Sequence, residues 1–318
     1  MVNKRSLPVL AAIATVIGLA VATPGAAADK TVALVLGVKG SPFYQALACG
    51  AQARARELGL KLTVSAPDQF AADSQIPVVN AVAATRPAVA AVVPTDMQAL
   101  VEPLRQLHGR GTQVITVDQT ISDVSFVQTQ VLTDNAAGGR MAADAMNTLL
   151  GGKGKVLTIT QPPGSAAQDA REAGFKAELK KFPGISYLGP QYQSDDPQKA
   201  AEIVTSTLSA HPDLAAVFST NDQGAIGAIT GLRQAGATGK VKVVAYDAAT
   251  AEVNAMKNGS IQALIAQNPK QEGEAAMEAA AALIAGKHVG KTTLTEIVTI
   301  KGSDKAAADK YEYRANCN

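Results

Sequence analysis

The chain repeats itself. PAVAAVVPTDM at residues 87–97 returns as PDLAAVFSTND at 212–222, with Pro, Ala-Ala-Val and Thr followed by Asp or Asn at matching places. Downstream, RGTQVITVDQ (110–119) answers to GKVKVVAYDA (239–248), so that Asp118 and Asp247 hold equivalent positions. An internal echo of this kind constrains the fold more than any single motif does. It calls for two copies of one architecture, and two copies create a seam that both can line.

The architecture can be read from periodicity. TVALVLG (31–37) is a continuous apolar run ending in Gly, the pattern of a strand buried on both faces. Phe43, Leu47, Ala51 and Leu58 then recur at helical spacing, behind Ser41 and Pro42 as N-cap and first-turn residues. Strand-like LKLTVS, AVAAVV and QVITVD alternate with helix-like IPVVNAVAATR and LVEPLRQLHGR. The pattern changes near Val131–Asn135 and restarts with the helix AAGGRMAADAMNTLL. KVLTIT, ISYLGPQY, LAAVFST, VKVVAYD and IQALIAQ then alternate with REAGFKAELKKF, PQKAAEIVTSTLSA and GAIGAITGLRQAG. Short strands between longer helices make βαβ units, hence an α/β chain with two doubly wound parallel sheets. No Gly/Ser-rich linker separates the halves, so structured crossovers are expected to join them.

Residues 1–28 are set apart from this pattern. Lys4 and Arg5 precede the apolar run LPVLAAIATVIGLAVA and a small-residue stretch, TPGAAAD, which reads as an export signal cut after Ala28. The run is shorter than the roughly twenty apolar residues that a spanning helix needs. No cysteine follows the cut, which argues against a lipid anchor. A protein of the periplasm with no membrane insertion after cleavage is expected. Two of the 29 basic side chains leave with the signal and none of the 27 acidic ones does, so the mature chain is neutral. That balance, with 4% aromatics, does not suit a nucleic-acid binder. Two cysteines remain, Cys49 and Cys317, and in an oxidising compartment an even count favours a disulfide. The alternative is two unpaired thiols. A bridge closing so long a loop is worth about 5 kcal/mol at most by chain entropy.

Open parallel sheets bind ligands outside the carboxyl ends of their strands. Asp118 ends VITVD, Asp247 ends VVAYD, Asn221 follows AVFST, Gln267 follows ALIA, and Ser41 to Tyr44 follow the first strand. Each of these polar residues could instead cap the helix that comes next. The two acids fit that reading least well, since each closes a strongly apolar strand at matched places.

In order and spacing, SPFYQALACGAQARARELG, VPTD, ITVDQ, DNAAGGRMAAD, REAGF, AHPDLAAVFSTND, VVAYDA and IQALIAQNP resemble the periplasmic sugar-binding proteins of the ribose-binding type. The resemblance covers nearly the whole mature chain. It implies two Rossmann-like domains joined by a three-segment hinge: residues 29–132 with 268–296, and 133–267 with 297–318. It also implies a monomer that hands a small neutral sugar or polyol to an ABC transporter permease, with no cofactor, metal or catalytic residue. By resemblance Ser41 is a polar contact, Phe43 and Tyr44 pack on the sugar, and Asp118 is the first domain's carboxylate. Asn221, Asp247 and Gln267 are contacts of the second domain and hinge. Three positions depart from the ribose pattern. Gln119 and Asp169 stand where arginines are usual, and Asp195 stands where an aromatic wall residue is usual. Fewer cations and more carboxylates favour a neutral ligand rich in hydroxyl donors. One aromatic fewer favours a smaller sugar or an acyclic polyol. Lys39 could supply a replacement cation or be a solvated loop residue.

Other functions find less support. AGKHVGKTT (285–293) loosely matches a phosphate loop but follows a helix and precedes a strand, the reverse of the required order. His108, His211 and His288 lack metal-ligand spacing, and no G-x-S-x-G elbow occurs. Asp118, Asp169, Asp195 and Asp247 could form a hydrolase-like pair, but polyol recognition explains them without raised pKa values. A repressor of the same shape would carry a basic helix-turn-helix where this chain has its apolar leader. A role as ligand-sensing partner of a chemoreceptor or sensor kinase is compatible with transport.

Overall fold

The computed structural model describes residues 1–2, 30–302, 304–314 and 317. The expected export signal falls almost wholly outside them.

Two six-stranded sheets form the framework. The first contains β1 (Thr31–Val35), β2 (Lys61–Ser65), β3 (Val89–Val92), β4 (Gln113–Val117), β5 (Val127–Thr133) and β11 (Thr292–Thr295). Helices α1 (Pro42–Leu58), α2 (Ala72–Thr85), α3 (Val101–Gly109) and α9 (Pro269–Ile284) pack on it. The second contains β6 (Gly154–Thr160), β7 (Ile185–Tyr192), β8 (Leu214–Ser219), β9 (Lys242–Tyr246), β10 (Ala263–Gln267) and β12 (Ile297–Lys301). Around it lie α4 (Asn135–Leu150), α5 (Ala166–Leu179), α6 (Pro197–Ala210), α7 (Asp222–Gln234), α8 (Thr250–Lys257) and α10 (Lys305–Tyr311).

The echo in the sequence is an echo in topology. The order β2-β1-β3-β4-β5 reappears as β7-β6-β8-β9-β10. The two repeated strings supply β3 and β8, the central strands, and Ala90, Ala91, Val92, Ala216, Val217 and Phe218 are all buried. Small and β-branched residues recur there because helices cover both faces of each sheet.

Strand β5, VQTQVLT, runs into the stretch near Val131–Asn135 that the sequence marks only as a change of pattern. Its burial alternates along the strand, unlike the continuous buried runs of β1, β3, β4, β9 and β10. The run TTLTEIVTI is two strands, one in each sheet, with Glu296 between them. The expectation of parallel sheets holds for every pairing except β10 with β12, which is antiparallel. The chain passes straight from β11 into the opposite sheet, so no crossover can reverse its direction. The AGKHVGKTT segment joins α9 to β11, a helix-to-strand turn.

Between the sheets the chain passes from β5 to α4, from β10 to α9, and from β11 to β12. Glu272 braces all three passages. It lies in the first turn of α9, and its Oε1 accepts from the Thr133 hydroxyl at 2.8 Å and the Thr295 hydroxyl at 3.3 Å. Cys49 of α1 is joined to Cys317 by a disulfide.

Candidate functional site

Strand ends from both sheets converge on a cavity of about 60 Å³.

One wall belongs to the first sheet and comprises Val38, Ser41, Phe43, Tyr44, Phe70, Asp118 and Gln119. Pro42 opens α1 immediately after β1, which sets Phe43 and Tyr44 at the strand's carboxyl end; Ser41 makes no side-chain cap bond. The Phe43 and Tyr44 rings meet edge-on at 5.2 Å, and Phe70 stacks on Tyr44 at 6.4 Å. The Tyr44 hydroxyl donates to Asp118 Oδ2 at 3.0 Å.

The opposite wall comprises Gln161, Gln168, Arg171, Asp195, Asn221, Asp222, Gln223, Asp247 and Gln267. Asp195 Oδ1 accepts from Gln161 Nε2 at 3.0 Å and Asn221 Nδ2 at 2.9 Å. Asn221 is also the cap of α7, accepting from the Gly224 N–H at 2.9 Å, so its structural and lining roles coexist. Asp247 Oδ1 accepts from Gln267 Nε2 at 2.7 Å. Asp118, Asp195 and Asp247 have left-handed backbones, with φ of 60°, 61° and 87°. Such geometry costs about 1–2 kcal/mol for a residue with a Cβ, and Asp is among the residues that tolerate it.

Arg171 supplies the cavity's guanidinium. Close packing of α4 on α5 places it: a Cβ on Gly139 would sit 2.1 Å from the Arg171 carbonyl oxygen. Its Nε donates to Asn135 Oδ1 and its Nη1 to the Thr220 carbonyl, each at 2.8 Å, and the group lies 3.8 Å over the Tyr246 ring. Four carboxylates therefore face one cation. Burial pushes Asp118 up to about 6, against the pull of Arg171 and the Tyr44 hydroxyl. Burial, with the charges of Asp247 and Asp195, pushes Asp222 up to about 7. Asp195 and Asp247 are raised as well, again chiefly by burial. The carbonyl oxygens Oε1 of Gln168 and Gln267 are buried with no partner among the described residues. The site is rich in acceptors and short of donors, so it is complementary to a molecule carrying several hydroxyl groups.

Of the residues selected from sequence, Ser41, Phe43, Tyr44, Asp118, Gln119, Asp195, Asn221, Asp247 and Gln267 all line the cavity. Asp169 does not, which corrects that expectation: its Oδ2 accepts from the Gly164 N–H at 3.0 Å and braces the turn before α5. Residues two apart on a helix face different ways. The face that holds Arg171 toward the cavity therefore turns Asp169 aside. Gln119 is present, but its Oε1 accepts from the Ala167 N–H of α5 at 2.8 Å and so links the two walls. Lys39 is exposed and paired with Asp68 at 2.7 Å, away from the cavity. The sequence reading passed over Arg171, Gln161, Gln168, Asp222, Gln223, Phe70 and Val38. Gln161 and Asp222 follow strands as Asn221 does and could have been found by the same rule. Arg171 stood in the REAGF string without being singled out.

Among the described residues no cluster of His, Cys, Asp and Glu is arranged to hold a metal ion. None of their helices is long and apolar enough to cross a membrane.

A model of the periplasmic binding protein domain matches residues 32–288. The ribose import binding protein of Salmonella typhimurium is 30% identical over 281 residues, 88% of this chain and 94% of that protein. The D-allose-binding periplasmic protein of Escherichia coli is 28% identical over 267 residues, 81% and 86% of the two chains. Among solved structures, an ABC transporter solute binding protein from Agrobacterium vitis bound with alpha-D-tagatopyranose has a TM-score of 0.87 at 34% identity, covering 89% of this chain and 99% of that one. Another from the same species, with bound D-fucose, has a TM-score of 0.85 at 26% identity, covering 89% and 100%.

Proposed function

The chain belongs to the periplasmic binding protein family, and from that membership we propose that it is an exported solute-binding protein that captures a neutral sugar or polyol and delivers it to an ABC-type permease. The observation that carries this reading is the cavity between two sets of strand ends, with acceptors at Gln168 and Gln267 that have no partner among the described residues. In this reading residues 1–28 direct export to the periplasm and are removed. Residues 29–132 with 268–296 form one lobe, and 133–267 with 297–318 the other.

The energetics suffice. Hydrogen bonds to a charged acceptor contribute about 1.5–3 kcal/mol each. Micromolar affinity needs about 8 kcal/mol net. Asp118 and Asp247 each accept from neighbouring hydroxyls, Arg171 and the cavity amides donate, and Phe43 and Phe70 cover the apolar face of the carbon skeleton. A few such bonds with one aromatic contact reach the needed sum after ordering costs. Because contacts come from both lobes, the ligand binds the closed form more tightly, and that difference alone drives closure. The permease then distinguishes loaded from empty protein by shape.

A thermal-shift panel of pentoses, hexoses and four- to six-carbon polyols tests the reading. At least one compound raises the melting temperature, and Asp247→Ala removes the rise. A compound whose effect survives both Asp118→Ala and Asp247→Ala would place its site elsewhere.

A further inference from the structure

The segment after α10 reaches the cavity from behind. Helix α10 is pinned beside α8 by the Lys257–Asp309 ion pair at 2.6 Å, and the Tyr313 N–H bonds to the Ala248 carbonyl at 2.9 Å. From there the Tyr313 side chain, 4% exposed, enters between the lobes. Its hydroxyl donates to Asp247 Oδ1 at 3.2 Å and accepts from the Gln267 backbone N–H at 3.1 Å. Its ring meets Phe43 of the other wall edge-on at 5.7 Å. Beyond it, Cys317 is bonded to Cys49 in α1. The tail is thus attached to the second sheet through α10 and to the first through the disulfide, with Tyr313 between the two attachments.

We propose that Tyr313 is a positioning residue of the binding site, orienting the Asp247 carboxylate from behind, and that the Cys49–Cys317 bond serves to hold it there. Tyr313 does not line the cavity, so a ligand would feel it only through Asp247 and Phe43. Asp247 needs such support, because it ends its strand in a left-handed conformation among other buried carboxylates. Both of these side-chain donors, Gln267 and Tyr313, bind Oδ1, so together they fix the carboxylate's orientation. The first sheet uses the same device, since Asp118 is held by the Tyr44 hydroxyl. There the tyrosine sits in a long helix and needs no further anchor. Tyr313 follows the short α10 and sits in an isolated bridge with Ala249, so it has no such helix to hold it and needs a tie of its own. The disulfide provides that tie.

This assignment rests on the sugar-site reading, but its test needs no ligand. The measurement is a carbon-13 NMR titration of the Asp247 carboxyl in the oxidised, ligand-free protein, with amide exchange of Gln267 read on the same samples. Asp247 is faced by Arg171 from α5, Asp195 from the turn after β7, Asp222 from α7, Glu252 from α8, Tyr246 from β9, Gln267 from β10, Asp118 from the end of β4 and Tyr313 from the tail. Only the last is altered in Tyr313→Phe, which keeps the ring. The hydroxyl bond favours the ionised carboxylate, so Tyr313→Phe moves the Asp247 titration further up. It also speeds Gln267 exchange by about tenfold or more, while Leu264 and Ile265 of β10 keep their protection. The double variant Cys49→Ser/Cys317→Ser does the same. An unchanged titration and exchange in Tyr313→Phe would overturn the positioning role. A shift in Tyr313→Phe without one in the double variant would overturn the role of the disulfide.

Discussion

The two walls of the cavity are built from the same topology and do opposite things. The first sheet's wall carries three aromatic rings and a single acid, while the second sheet's wall carries amides, three acids and the guanidinium. Duplication copied the strand order and the acid at the end of the fourth strand, but it did not copy the chemistry around them. An apolar wall contributes contact area with little orientation, and a polar wall contributes directional bonds. A ligand seated between them takes its shape limits from one side and its hydroxyl pattern from the other. The lobes need each other to complete the site.

Arg171→Met removes the cation that Asp118 and Asp247 face, takes the donor from the Thr220 carbonyl, and leaves Asn135 Oδ1 with the longer bond from the Tyr246 hydroxyl at 3.3 Å. Leaving Asp118 and Asp247 buried without the charge that faces them costs up to about 3–5 kcal/mol. Chemical denaturation is expected to show that loss, and a variant of wild-type stability would mean that the acids do not depend on Arg171.

The acids themselves give the next effect. Asp118 on the aromatic wall titrates near about 6 and Asp222 on the polar wall near about 7, both raised by burial. A carboxyl raised on folding binds its proton more tightly in the folded chain. Its contribution to stability is complete below the unfolded value of about 4 and is lost as pH rises through the folded value. The ligand-free protein therefore melts at a higher temperature at about pH 5 than at about pH 8. Asp118→Asn removes the lower part of that slope and Asp222→Asn the upper part. A melting temperature that climbs across the window would contradict the assignment.

On the aromatic side the effects are smaller. Phe70 is half-buried and stacked on Tyr44, so Phe70→Ala leaves the fold intact and weakens sugar binding by roughly threefold to tenfold in calorimetry, the range typical of one aromatic contact. An equal loss of stability would make Phe70 a core residue instead. The smallest effect belongs to Asp169→Asn. Its carboxylate serves the turn at Gly164 and not the cavity, so affinity stays within about twofold of wild type, a larger loss being the cost of one hydrogen bond to the ligand.

How much of this could be read from the sequence follows the same physics. Strands buried on both faces announce themselves as apolar runs, and so β1, β3, β4, β8 and β9 were visible together with the acids that close two of them. Strand β5 has one partly exposed face and reads as alternating polar residues, which hid it. The antiparallel β12 depends on how the two sheets face each other, and no local pattern encodes that. Within the site, strand-end residues were legible because the rule for parallel sheets points to them. Arg171 was harder because it enters from a helix, where the choice between Asp169 and Arg171 depends on the helix's rotation. Tyr313 was invisible, since YEYRANC gives no hint of the contact with Asp247.

The central claim is that one ligand is held from both lobes at once, and small-angle scattering with and without a saturating sugar or polyol tests it most directly. The account predicts a smaller radius of gyration in the complex, with the change lost in Asp118→Ala and Asp247→Ala alike. A ligand that binds at full strength while the radius stays constant would contradict it.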